Sequence, residues 1–539
     1  MKPLLRILAL WRPQAGMLVA GAAVSLLTVA AAAGLAIQAG RAVVPALLGG
    51  AVLLWVLRGL GVGRVVFRYV ERLLTHAATF RALAGLRVWF FRGLARNGLG
   101  GLGMLRSGDA LARLVDDIQA LDGLYIRIAI PALATVVLLP LLLWTVWPAG
   151  PLVAVLAGSA LLLAAAILPA VAAHGATQAG GELAEAGAGL RVAVLDALTG
   201  LREIRAFGAQ GRMLQTVQAR EGALFGAQRR LASRGAIAQA GATLCGQAAV
   251  LLILLAPLPP AWLVPALLLT LAAFEAVGGM PRAGVLFGLA ASAAQRVVAA
   301  ADARSAVPEP SAPVSPPSGH GLRFERIVFA WPGRAPVFDG LSLDIPAGAR
   351  VAILGPSGSG KSTLAALALR VVAPQSGRVL FGGRDLAGLR SADVHARIGW
   401  LSQGTTLFAD TIRANLLLGR PDADDTALWR ALDQAEIGGI VRALPDGLDT
   451  WLGPGGAGLS GGQGRRVALA RTLLSAAPIL ILDEPATGLD AAAERAFLQT
   501  LNEVAEGRTV ILIVHRLLGV ERLDRIWRLS GGRAVAAAA

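Results

Sequence analysis

Cysteine occurs once in this 539-residue chain, at position 245. A single thiol excludes an intrachain disulfide and any metal site built from cysteines. Its surroundings are uncharged, so Cys245 is expected to pack as a small buried apolar residue. Lysine is almost as scarce: Lys2 and Lys361 are the only two among 50 basic residues, the others being arginine. Charged residues of all kinds reach 16%, against roughly 25% in an ordinary soluble enzyme. A disordered chain is also excluded, because disorder needs polarity and charge. Apolar residues fill the difference. They make up 55% of the chain, and mean hydropathy is +0.63. An integral membrane protein with more than one domain is the expectation. The formal net charge of +16 suits either nucleic acid or an anionic membrane surface, and the placement of the arginines decides between them.

Residues 13–40 carry no charge, a run of 28, long enough to span a bilayer core with some tilt and too long for the core of a cleaved signal peptide. A second apolar stretch covers 42–63, broken only by Arg58. Residues 128–173 form an uncharged run of 46, with Trp147-Pro148-Ala149-Gly150-Pro151 at its middle. That turn signal predicts a helical hairpin. Residues 235–274 repeat the pattern over 40 positions, with Pro257, Pro259 and Pro260 at the break. Six transmembrane helices follow. The short connections near 38–42, 147–151 and 257–261 contain one charge, Arg41, whereas 64–127 and 174–234 are long and arginine-rich. The positive-inside tendency then places the long segments, both termini and the rest of the chain in the cytoplasm. The basic excess therefore reflects membrane topology. No aromatic-studded basic patch points to nucleic acid. The long segments have few helix breakers over their outer parts and read as helical hairpins, with Gly-rich tips near Gly98–Gly103 and Gly200–Gly211 that suit short transverse helices. Residues 305–320 hold five prolines in sixteen positions, a stiff extended linker. The domains are expected at 1–304 (transmembrane), 305–320 (linker) and 321–539 (soluble, α/β).

The soluble part carries the chemistry. An apolar strand, Val351–Leu354, leads into Gly355-Pro356-Ser357-Gly358-Ser359-Gly360-Lys361-Ser362-Thr363 and then a helical run. This is a phosphate-binding loop in the strand–loop–helix context that gives it meaning. Its glycines let backbone N–H groups turn toward phosphate oxygens, and the helix N-terminus adds positive dipole. Lys361 is expected on the β- and γ-phosphates of ATP, and Ser362 on Mg²⁺. A second apolar strand, Ile479–Leu482, ends in Asp483-Glu484. Asp483 suits Mg²⁺, directly or through water, and Glu484 is placed to polarise an attacking water.

With these residues the chain resembles the ATP-binding cassette (ABC) transporters over essentially its whole length. Leu459-Ser460-Gly461-Gly462-Gln463 matches the family signature. The resemblance implies that Ser460, Gly461, Gly462 and Gln463 face a phosphate of a second subunit's ATP. It implies a lid glutamine at Gln403 that senses Mg²⁺, a switch histidine at His515, an interface aspartate at Asp490, and an adenine-stacking aromatic at Trp331. A tryptophan beside proline is also often plain packing. One transmembrane half with one cassette implies an exporter-type half-transporter that works as a dimer.

Shorter stretches resemble the CydC-type subunits of heterodimeric thiol exporters. These are Arg68-Tyr69-Val70-Glu71-Arg72-Leu73-Leu74-Thr75-His76, Leu121-Asp122-Gly123-Leu124-Tyr125-Ile126-Arg127 and Ala272-Ala273-Phe274-Glu275-Ala276. That likeness implies a CydD-like partner, a multi-pass position in the bacterial inner membrane, export of cysteine or glutathione to the periplasm, support of cytochrome bd assembly, and a link to haem. One departure stands out. Exporters often carry an acid in the loop before the signature, and here Gly453-Pro454-Gly455-Gly456-Ala457-Gly458 has none, which puts coupling through that acid in doubt.

Arg64, Arg68, Arg72 and His76 recur every four residues and so form a slowly drifting stripe on one helical face. Two interpretations stand. The arginines meet lipid headgroups at the interface, or they line a site for a small anionic or thiol substrate, with His76 available as an axial ligand to haem iron. Glu275, inside the sixth span, is the further ionisable candidate, to be paired with an arginine or solvated. Thiol or haem export, lipid flipping, and regulation of a partner without transport remain as competing functions.

Overall fold

The computed structural model describes residues 2–47, 54–96, 113–303, 307–404, 406–487, 491–504 and 507–537. Contacts divide the chain into a helical unit ending at Ala303 and a second unit ending at Ala539. In the first, α1 (Lys2–Leu10) and α2 (Ala15–Leu47) precede α3 (Leu54–Arg96). Then come α4 (Ile130–Val146), α5 (Pro151–Leu162), α6 (Leu168–Thr199), α7 (Leu201–Ala206), α8 (Gln210–Leu255), α9 (Pro260–Val277) and α10 (Met280–Ala301).

Among the described residues, five helical stretches are long and apolar enough to cross a membrane: Arg12–Val43, Tyr125–Ala149, Pro151–Thr199, Gln210–Leu255 and Pro260–Ala301. The second span expected, at 42–63, lies partly outside the described residues; of its described residues, 42–47 close α2 and 54–63 open α3. That helix carries Arg58, Arg64, Arg68 and Arg72 along its first half, which lowers its hydropathy. The 46 residues of α8 reach roughly 70 Å at about 1.5 Å per residue, more than twice a bilayer core of about 30 Å. Long helices therefore continue well beyond the membrane, as the scarcity of helix breakers implies. The predicted hairpin turn at Trp147–Pro151 is present: Gly150 takes φ +108°, and Pro151 starts α5. Of the two glycine-rich tips, Gly98–Gly103 lies outside the described residues. The other holds α7, six residues long.

Small residues let the helices close on one another, the usual source of packing where lipid removes the hydrophobic drive. A Cβ on Gly284 would sit 2.1 Å from the Pro169 carbonyl oxygen, and one on Gly288 2.6 Å from the Ala176 methyl. The α10–α6 contact therefore depends on glycine at both positions. The first short connection, expected near 38–42, begins later, because α2 runs on to Leu47. Arg41, in the last turns of α2, lies over Trp144 of α4 (5.7 Å) and Trp262 of α9 (5.8 Å), so cation–π contacts tie the ends of three helices together. Cys245 is half-buried, not buried as expected. It sits on the long α8, and flanking residues such as Leu244 remain 69% exposed, as a lipid-facing helix surface requires.

The second unit holds two sheets. Strands β1 (Leu322–Ala330), β2 (Pro336–Ile345), β4 (Ser376–Phe381) and β5 (Arg384–Asp385) form an antiparallel sheet in the order β2-β1-β4-β5. The other sheet runs β10-β9-β3-β8-β7-β6. It is built from β3 (Arg350–Leu354), β6 (Ile398–Leu401), β7 (Ile479–Asp483), β8 (Thr509–Ile513), β9 (Arg525–Ser530) and β10 (Arg533–Ala537). All its pairings are parallel except β9–β10. Strands β7 and β8 are buried at every position, as expected for a parallel sheet covered on both faces. Phe324, Phe338 and Phe381 fill the core between the sheets with at most 1% exposure; truncating one to alanine would cost about 3–5 kcal/mol. A helical layer of α12 (Ile412–Leu417), α13 (Asp425–Gln434), α14 (Gly438–Arg442) and α15 (Gly461–Leu474) has its own core around Leu428, Leu432 and Leu469. The loop helix α11 (Lys361–Ala368) and α16 (Ala491–Val504) complete the α/β unit.

The proline-rich segment is extended, but it is not a free spacer. Glu309 accepts from Arg370 (3.3 Å) and from the Ser391 backbone N–H (3.1 Å), and Arg370 also donates to the Pro308 carbonyl at 2.7 Å. Arg370 is 5% exposed, so the strap pairs both terminal nitrogens of a buried guanidinium that would otherwise be costly.

Candidate functional site

Parallel strands bring the nucleotide motifs together. The phosphate-binding loop follows β3, Asp483-Glu484 closes β7, His515 lies two residues past β8, and Gln403 lies two residues past β6. These strands are neighbours in one sheet, so four distant segments meet at its carboxyl edge, where open α/β sheets place their ligands.

The loop is shaped by conformations only glycine adopts easily. Gly358 has φ +81° and Gly360 +97°, and a Cβ on Gly360 would meet Val337 at 2.6 Å and Phe338 at 2.7 Å. The buried core thus presses directly against the loop. Lys361 is 7% exposed, and its ammonium donates to the carbonyls of Gly355 (2.7 Å) and Pro356 (3.1 Å), inside the loop. The Ser359 hydroxyl is buried without a partner among the described residues. A cradle of turned backbone, an inward ammonium and a spare hydroxyl fits the phosphates of ATP.

Asp483 is 2% exposed and accepts from the Ser362 hydroxyl at 2.9 Å. Burial pushes its carboxyl above the usual carboxylate range, an effect the Ser362 hydrogen bond partly offsets. A buried acid beside a hydroxyl is a donor set that fits Mg²⁺. Glu484 has φ +51°, a left-handed backbone that is costly outside glycine. One of its carboxylate oxygens lies 2.6 Å from His515 Nε2 and 3.4 Å from Gln403 Nε2. Thr487 donates to the other at 3.3 Å. Trp331 donates from Nε1 to the Thr363 hydroxyl at 3.3 Å and packs edge-on against Phe329, so its indole sits beside the first turn of α11.

In the signature, Ser460 caps α15: its Oγ accepts from Gln463 N–H at 3.3 Å, and Gln463 Oε1 accepts from Ser460 N–H at 2.8 Å. This reciprocal box leaves Ser460 and Gly461 exposed at the helix N-terminus. The preceding loop has Gly455 at φ +69°, Gly456 at +82° and Gly458 at +109°. Its glycines set a backbone that disfavours an acidic side chain at those three positions. Asp490 lies outside the described residues.

Sequence reasoning missed Arg465. Its guanidinium donates to the carbonyls of Gln403 (2.6 Å), Glu484 (2.8 and 3.1 Å) and Asp483. It therefore ties the signature helix to the lid glutamine and both strand-end acids. Its position five residues after Ser460 was the available signal.

The helical unit contains a cavity of about 490 Å³. Arg64, Arg68, Arg72 and His76 all line it, so the four-residue stripe faces one cavity. Glu275 lines it too and pairs with Arg64 at 3.8 Å. His76 packs against Phe80, with ring centroids 5.8 Å apart. Glu71, Asp122 and Arg127 also line the cavity; nothing in their sequence spacing marks them out. His174, another histidine of the helical unit, lies on α6 and lines a separate pocket with Met280 and Phe287.

Comparisons with known proteins agree with this geometry. Residues 338–487 match the family described as ABC transporter, and residues 18–258 the ABC transporter transmembrane region. The glutathione/L-cysteine transport system ATP-binding/permease protein CydC of Escherichia coli K12 is 32% identical, over 99% of this chain and 96% of that protein. An ATP-dependent lipid A-core flippase of Ralstonia nicotianae is 44% identical, but over 40% of this chain and 37% of its own. A solved bacterial Atm1-family ABC exporter with ATP bound superposes with a TM-score of 0.87 at 25% identity, covering 98% of this chain and 95% of that one. The chain thus belongs to the ABC transporter family, as an exporter-type half-transporter whose cassette couples ATP hydrolysis to transport.

Proposed function

We propose that this chain is one half of a heterodimeric exporter that moves small thiols, cysteine or glutathione, out of the cytoplasm across a bacterial inner membrane. The observation that carries the proposal is the cavity, where Arg64, Arg68, Arg72 and Arg127 line a space of about 490 Å³. Guanidinium groups suit the carboxylates of a small anionic solute. The whole-length likeness to CydC supports the same substrate class and a CydD-like partner, as well as a place upstream of cytochrome bd assembly. The two nucleotide sites form at the dimer interface. Lys361 neutralises phosphate, Ser362, Asp483 and Gln403 hold Mg²⁺, Glu484 orients water, and His515 contacts the γ-phosphate. Ser460 to Gln463 of this chain complete the partner's site. The domains divide at 1–304, 305–320 and 321–539, with the N-terminus and cassette cytoplasmic.

The test is co-purification with the partner half, reconstitution in vesicles, and ATPase measured with glutathione, cysteine or added lipid. Thiol stimulation together with thiol accumulation supports the proposal. Stimulation by lipid alone would replace it with a flippase, and no transport of any solute would leave a regulatory cassette. One observation favours a second reading. His76 shares the cavity with Arg68 and Arg72, so an imidazole for iron and guanidinium groups for propionates are available to haem.

A further inference from the structure

The cavity is basic, yet three carboxylates line it: Glu71, Asp122 and Glu275. A site that needed only to attract anions would gain nothing from them. Glu275 has a partner, the Arg64 guanidinium at 3.8 Å. Glu71 lies on the arginine-bearing face of α3, between Arg68 and Arg72 in sequence. Asp122 differs from both. It comes from another segment, in the turn that leads into Tyr125–Ala129 and α4, with its backbone N–H held by the Gln119 carbonyl at 3.1 Å. Its Oδ1 is buried and accepts no hydrogen bond among the described residues. Helix capping does not explain that oxygen, because no backbone N–H donates to it. A buried carboxylate oxygen without a donor is costly, and each such group calls for an explanation, a strained or catalytic role or a water or ion that supplies the missing donor.

We infer that Asp122 is the specificity-determining residue that receives the ammonium of a zwitterionic, α-amino-acid-like substrate, while the cavity arginines receive its carboxylates. The inference rests on the thiol-export reading and adds to it. It predicts selection for a primary ammonium, which neither a lipid phosphate nor a haem propionate carries. The charge balance agrees. With four arginines and three acids the lining keeps one net positive charge when His76 is neutral. Glutathione, with two carboxylates and one ammonium, carries one net negative charge. Three of the arginines lie on α3 and Arg127 shares the Asp122 segment, so Asp122 places the ammonium end while arginines of the same cavity receive the carboxylates. A purely cationic pocket would bind the substrate in several poses.

The experiment compares glutathione with glutaryl-cysteinylglycine, which lacks only the ammonium, as stimulators of ATPase in the reconstituted complex with its partner. In the wild type, half-maximal stimulation should need about tenfold or more less glutathione than the des-amino analogue, the loss expected when a buried charged group goes unpaired. Asp122→Asn should raise the glutathione requirement by about tenfold and leave the analogue's within about twofold, so the preference collapses. Asp122→Glu keeps the charge and should retain a reduced preference in the same direction. It also carries the comparison if Asp122→Asn does not assemble. Equal wild-type responses to the two ligands overturn the role of Asp122 and leave thiol export standing. A preference that survives in Asp122→Asn, or equal weakening of both ligands, also overturns it. A wild type that answers to neither thiol removes the export reading and this inference together.

Discussion

Replacing Arg465 with methionine should separate chemistry from nucleotide binding. The side chain keeps much of its volume but loses four hydrogen bonds to three carbonyls, those of Gln403, Asp483 and Glu484. A charge-assisted bond contributes about 1.5–3 kcal/mol net on its own, and four bonds made by one guanidinium are not additive. Against this, burial already works against the guanidinium and holds its pKa below the usual value, an effect the neighbouring Glu484 and Asp483 charges partly offset. The net cost to the cassette should be about 2–3 kcal/mol. The larger effect is on geometry. Glu484 sits at φ +51°, a conformation that persists only where its surroundings over-determine it, and the Arg465 contacts bracket it on both sides. Once released, the carboxylate should relax by about an ångström, enough for a roughly 100-fold loss in rate. The loop at Lys361 shares none of these bonds, so ATP affinity should hold within a factor of about three. Site-resolved hydrolysis in the complex with its partner, alongside equilibrium ATP binding, measures both quantities. Arg465→Lys should recover only part of the rate, because an ammonium cannot serve three carbonyls in a fixed fork. If Arg465→Met hydrolyses at the wild-type rate while melting lower, the residue is structural only. If ATP affinity falls in step with rate, the proposed separation of the two is wrong.

Glu484→Gln should keep ATP binding and slow hydrolysis at this chain's own site by about 10²–10⁴-fold, the range for a general base; undiminished site-resolved turnover would remove that role. The isolated chain should be a slow ATPase that its partner restores, since Ser460 and Gly461 lie exposed at a helix N-terminus with no nucleotide of their own chain to meet; full activity in a demonstrated monomer contradicts this. Asp483→Asn should abolish Mg²⁺-dependent hydrolysis and yet raise the melting temperature of the nucleotide-free protein. Burial raises the folded pKa of Asp483, so the folded state binds more protons than the unfolded one just above the unfolded pKa of about 3.9. Its contribution to stability therefore falls as pH rises through that window, and the variant should flatten this slope. Haem titrated into the complex should give a Soret shift that His76→Ala weakens more than His174→Ala; an unchanged spectrum in His76→Ala leaves the thiol reading alone.

Half of each site is legible in the amino-acid sequence, and the division has a physical cause. Phosphate loop, strand-end acids, lid and switch residues each occupy a fixed offset from an apolar strand. Parallel pairing of those strands brings their carboxyl ends together without further information. The arginine stripe is legible for a similar reason, because four-residue spacing is a property of one helix. What escapes is whatever depends on two segments meeting. Arg465 is one more arginine until the strand-end carbonyls lie within its reach. Glu309 is a residue in a proline-rich linker until it meets the buried Arg370. The stripe itself leaves two interpretations open, lipid headgroups or a ligand, because periodicity gives a face and not what the face meets. The acidic half of the cavity shows the same limit more sharply. Nothing in the spacing between Asp122 and Arg68 relates them, and only the packing of the segment before α4 beside α3 sets a carboxylate opposite guanidinium groups. A single-sign stripe read alone therefore argues for an anion, whereas the assembled lining argues for a zwitterion. That difference in charge pattern separates the candidate substrates more finely than cavity volume, since a half-transporter supplies only its own share of the walls.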